Sequence, residues 1–161
     1  MGAAAGEVRL KDLRQRNALR VHDAITVTWV PGSHQPRIGH LRRATSAGAV
    51  RDSLLGGMVD LVFRTPEPGT SARAGIVALA ARLAGIGIDL VFLDELRSQL
   101  RPETSALLVL SSDPDLDHVR PVIERGLARG DVILKHARLP EGALDVLQQA
   151  VHDLQARSRQ R

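Results

Sequence analysis

The chain has no cysteine and no tyrosine, and its only aromatic residues are Trp29, Phe63 and Phe92. Without thiols there are no disulfides, no thiol nucleophile and no zinc site built on thiolates. With so few rings, no stacking platform for nucleic-acid bases is visible, and the core has to be Leu, Val, Ile and Ala. Long uncharged apolar runs are missing as well. Arg51, Asp52 and Asp60 interrupt one apolar segment and Arg73 and Arg82 the next, whereas a membrane-crossing helix needs about 20 uncharged residues. The opening MGAAAGEVRLKDLRQR lacks the apolar stretch of an export signal, and Gly6 stands where a myristoylation pattern needs Ser or Thr. These features predict a cytoplasmic protein, with the periphery of an inner membrane as the competing location.

What is present is ordinary in bulk: 161 residues, 43% hydrophobic and 25% charged, with a net charge of +4. That length and balance predict one domain with a real core. The pI near 10.8 comes from arginine, which supplies nearly every positive charge and does not deprotonate in the working range. The basic surplus is confined to residues 1–43, so no dense basic face is expected and nucleic-acid binding is not.

Hydrophobic periodicity sets the element order. Residues 7–20 read as a short charged helix anchored by Val8, Leu10, Leu13 and Leu19, after a disordered lead over 1–6. In 23–30, Ile25, Val27 and Trp29 alternate with Thr26 and Thr28, which marks a half-buried strand. PGSHQP turns the chain, and RIGHLRR returns as a second short strand. From Ala44 to Phe63 the period becomes helical, with Ala47, Val50, Leu54, Met58 and Leu61 in one stripe. TPEPGT breaks that helix, and a second runs from about Ser71 to Ile86. A third covers Asp89–Leu100, carrying Leu90, Leu93, Leu96 and Leu100. SALLVL at 105–110 is a buried strand. Asp113 and Pro114 open a helix whose stripe is Leu116, Val119, Ile123 and Leu127, with Pro121 inside it. VILKHARL at 132–139 reads as a strand. A last helix then buries Leu144, Leu147, Val151 and Leu154, and a polar disordered tail occupies 157–161.

Small residues recur at helical spacing on the two middle helices: Ala49, Ser53 and Gly57 on one, Ala74, Ala78, Ala81 and Gly85 on the other. Such spacing lets two backbones approach closely, so these seven residues predict the seam of a water-soluble helical hairpin and the candidate interaction surface.

Site chemistry is sparse. Gly85-Ile86-Gly87 lacks the third glycine and the preceding strand of a dinucleotide fingerprint, so a tight inter-helix turn accounts for it. Asp113, Asp115, Asp117 and Glu124 have the spacing of a calcium loop, but His118 occupies the position that needs glycine. Acids in the first turn of a helix are favoured by its dipole anyway. The histidines at 22, 34, 40, 118, 136 and 152 show no metal-ligand spacing, and Ser111 and Ser112 sit in no nucleophile elbow. No catalytic, cofactor-binding or metal residue is predicted, and no enzyme.

Taken in order, DAITV at 23–27, SAGAVRDSLLGG at 46–57, GIDLVFLDEL at 87–96, RPETSALLVL at 101–110 and VILKHARL at 132–139 resemble a bacterial and archaeal family. This is the domain-of-unknown-function family twelve sixty-nine, whose members are often labelled predicted membrane proteins. The resemblance spans about residues 7–155. It implies an α+β fold: a ferredoxin-like antiparallel sheet with the helical hairpin inserted at 44–100, in a single domain over 7–156. It brings no catalytic residues. Family members carry a further strand before the first helix, central in such a sheet. Its absence here leaves three possibilities: an earlier start, a strand from another chain, or a rearranged sheet. The function expected is a non-enzymatic module that self-associates as a homo-oligomer. A peripheral membrane protein that lays its hairpin on lipid and a small-ligand sensor are the competing readings, the second by fold analogy alone.

Overall fold

The computed structural model describes residues 2–40, 54–63, 71–112, 114–130 and 133–159. The elements are α1 (Gly2–Gln15), β1 (Arg20–Thr28), β2 (Arg37–His40), α2 (Leu54–Phe63), α3 (Ser71–Gly85), α4 (Leu90–Gln99), β3 (Ser105–Ser112), α5 (Leu116–Ala128) and α6 (Ala143–Arg159). The fold is α+β. The chain, expected as one domain, divides into two compact units: Met1–Ser46 with Leu100–Lys135, and Ala47–Gln99 with His136–Arg161.

The first unit is built on a three-stranded antiparallel sheet in the order β2-β1-β3. β1 is its axis. It pairs with β2 from Ile25↔His40 to Thr28↔Arg37, and on its other edge with β3 from Arg20↔Ser112 to Thr28↔Ser105. The gap that a missing first strand would open is absent, because β3 closes directly onto β1. The alternation in the sequence is borne out, with Ile25 and Val27 among the most deeply buried side chains. A β-bulge between Val21 and Asp23 inserts His22 and shifts the phase of the strand. The phase shift puts Val21 with Ala24 on one face and Asp23 with Ile25 and Val27 on the other. On the first face Leu10 of α1 packs over Val21 and Ala24, with Leu107 and Val109 beside them.

α1 starts at Gly2, so residues 2–6, expected to be disordered, are helical. Ala3 is buried, and its N–H donates to Ser105 Oγ at 3.1 Å, fixing the helix start to the head of β3. Gly6 lies against the same strand: a Cβ there would come within 2.9 Å of Leu107 Cδ2. The helix ends five residues before its expected limit because Asn17 takes a left-handed conformation, φ 54°, which asparagine tolerates better than most residues. α5 is set by a side-chain cap. Asp115 Oδ1 accepts the Asp117 N–H at 3.1 Å, and the Asp115 backbone N–H donates to the Ala18 carbonyl at 2.8 Å.

The second unit is all helical. α2 buries Leu55, Met58, Val59 and Val62 and packs on α4 and α6, while α3 buries Leu79 and Leu83 and packs on α6. The Gly85–Gly87 segment is a helix stop. Ile88 N–H donates to Leu83 O at 2.8 Å and Gly87 N–H to Ala84 O at 3.2 Å, with Gly87 at φ 94°. These two bonds, with Leu83 and Ile88 both buried, form a Schellman termination. Asp89 then caps α4, its Oδ1 accepting the Phe92 N–H at 2.9 Å. The GID triplet therefore ends one helix, anchors the turn and starts the next.

Two expectations are corrected. Residues 133–140 form neither helix nor strand, and Ile133 and Leu134 are exposed. β propensity needs a neighbouring strand to act on, and among the described residues the sheet consists of β1, β2 and β3. α6 continues to Arg159, into the stretch expected to be a disordered tail.

Candidate interaction surfaces

Of the seven seam residues, Ala49 and Ser53 lie outside the described residues. Gly57 sits on α2 and Ala74 on α3, with no side-chain surroundings described. Ala78 is half-buried. Ala81 and Gly85 are exposed, and nothing lies within 4 Å of a Cβ placed on Gly85. Close approach at these last two positions is therefore not found. Among the described residues, the helix packed along α3 is α6 rather than α2. Small residues are buried on α6, where Ala143 and Ala150 stand on either side of buried Leu147, and α3 buries Leu79 and Leu83. The spacing of Ala143, Leu147 and Ala150, four and then three, is legible in the sequence.

An ion pair closes the same contact. Arg82 Nη2 of α3 stands 2.6 Å from Asp153 Oδ2 of α6, and Gln149 Nε2 donates to Asp153 Oδ1 at 3.0 Å. The Arg82 guanidinium, helped by the Gln149 amide, holds the Asp153 carboxyl below its ordinary value.

His22 Nε2 and Ser112 Oγ are 2.8 Å apart, joining the bulge of β1 to the end of β3. A serine–histidine contact is also the first element of a nucleophilic pair. Ninety residues separate the two in sequence, and only the β1–β3 register brings them together. Asp23 is buried in the sheet. Asp115, one of the acids with calcium-loop spacing, accepts the Asp117 N–H and faces His118 Nδ1 at 2.8 Å. The His118 contact lowers its pKa. Asp115 serves as a helix cap, and Asp113 lies outside the described residues. No group of three or more metal-binding side chains occurs among the described residues.

The apolar stripe of α5 is placed otherwise than its sequence implies. Gly126 is buried and Val119 and Val122 are half-buried, whereas Leu116, Ile123 and Leu127 are 56%, 37% and 42% exposed. An expected core face is thus an open apolar line on the first unit.

Two outcomes follow for the α3–α6 contact. Ala150→Leu should overpack the buried side of α6 and cost about 1–3 kcal/mol, while Ala81→Leu should change stability by no more than about 0.5 kcal/mol; urea denaturation of both variants checks the contrast. The lowered Asp153 pKa implies a contribution that is complete above the ordinary carboxylate pKa of about 3.9 and is lost as pH falls through the depressed folded value. Asp153→Asn should therefore flatten the acid limb of a melting-temperature profile. Parallel acid limbs for the two proteins would contradict this.

No helix among the described residues is long and apolar enough to cross a membrane. No curated protein and no solved structure matches the chain. The family described as Protein of unknown function (DUF1269) matches residues 49–152, a span that takes in α2 to α5, the irregular segment after them and most of α6. The chain belongs to that family.

Proposed function

We propose that the chain is a non-enzymatic, cytoplasmic module that associates with copies of itself. The observation that carries this reading is the open line of Leu116, Ile123 and Leu127 on a regular, capped helix. Fully burying a large aliphatic side chain is worth about 1.5–3 kcal/mol, of which these partly exposed side chains still have a share to gain. The polar side chains with chemistry of their own have structural duties: Asp89 and Asp115 cap helices, Asp153 pairs with Arg82, and His22 ties two strand ends. That supports an assembly role over catalysis. A lipid-facing role is favoured less, because Arg120 and Glu124 border the apolar line with opposite charges and give little attraction to anionic headgroups.

Sedimentation equilibrium at tens of micromolar should show a mass of two chains or more. A strictly monomeric mass across that range would overturn the proposal.

A further inference from the structure

The partner and its direction follow from the arrangement of α5. With 100° per residue, buried Gly126 and half-buried Val119 and Val122 mark the side of the helix turned into the unit. Leu116, Ile123 and Leu127 lie roughly 80° around from Gly126, in one line along the axis. Arg120 and Glu124 follow on the outer flank of that line, and both are exposed.

We propose that this line docks onto the same line of a second copy, with the two α5 helices antiparallel about a two-fold axis. The proposal rests on the self-association reading above and adds the surface and its geometry. Two-fold symmetry makes the patch self-complementary, so each contact occurs twice. If Leu116 faces Leu127 of the second copy, the axis passes between residues 121 and 122. Arg120 then stands level with Glu124 of the second copy to within one residue, about 1.5 Å along the axis, and the pair recurs across the symmetry axis. A parallel arrangement instead sets Arg120 against Arg120 and Glu124 against Glu124, like charge on like. The helix ends agree: α5 has Asp117 in its first turn and Arg125 in its last. Antiparallel packing brings each acidic, dipole-positive end beside a basic, dipole-negative one. Charge pattern and apolar line thus select one occupant and one orientation.

The absence of native cysteine gives a direct test. Leu116→Cys and Leu127→Cys each carry one thiol. Under mild oxidation at tens of micromolar, an equal mixture should give a disulfide-linked dimer of one variant with the other. Each variant alone should link poorly, because its two thiols lie about 16 Å apart along the axis. Faster linking of each variant to itself would overturn the proposal. So would an absence of mixed linking in protein that sedimentation shows to be associated, which would move the interface elsewhere while leaving self-association intact. As a second measurement, Arg120→Glu should raise the dissociation constant at least about fivefold, and Arg120→Glu with Glu124→Arg should recover it. Equal affinities in the native protein and both variants would contradict the pairing. Monomeric protein that pellets with phosphatidylcholine vesicles would assign the face to lipid and overturn it too.

Discussion

The first unit depends on the pairing of β1 along both edges. Its nine residues hold β2 on one side and β3 on the other, so a strand near the start of the chain and one beyond residue 100 become neighbours. Everything else in that unit is referred to this ladder. α1 is fastened to the head of β3 by Ala3 and Ser105 and lies on the face where Leu10 meets Val21 and Ala24. α5 follows β3 and is tied by its cap residue to Ala18, just before β1. Those constraints fix which side of α5 faces inward, and the burial of Gly126 with half-buried Val119 and Val122 leaves the line through Ile123 outside.

The second unit shows how much three residues can specify. Gly87 supplies a backbone conformation that side-chain-bearing residues adopt at a cost, Ile88 fills the apolar site that goes with a Schellman stop, and Asp89 satisfies an amide at the start of α4. Two helices are thereby joined with almost no intervening loop. Such a junction puts α3 and α4 in a fixed local relation, and α3 packs on α6.

Elements governed by local chemistry were legible in the sequence. β1 was announced by the alternation of Ile25 and Val27 with Thr26, the return strand by RIGH, and the helix junction by its glycines and Asp89. The α+β class and the family follow from their order. What was not legible depends on partners remote in sequence. VILKHARL has strand composition, but composition does not provide a neighbouring strand. Small residues at 81 and 85 have the spacing of a seam, yet spacing does not say which helix lies opposite. The stripe of α5 identifies an amphipathic helix without telling how much of its apolar face the sheet and α1 can cover. The His22–Ser112 contact required both the register and the bulge, neither of which a single strand reveals.

The central claim is that β3 pairs directly with β1 and makes it the interior strand of this sheet. Native-state hydrogen exchange tests it amide by amide. Backbone amides of Ala24–Val27, together with those amides of the facing β3 segment, Ala106–Val109, that point at β1, should form a single protected group that opens only with unfolding of the unit. Rapid, independent exchange throughout β3 beside a protected β1 would contradict the account.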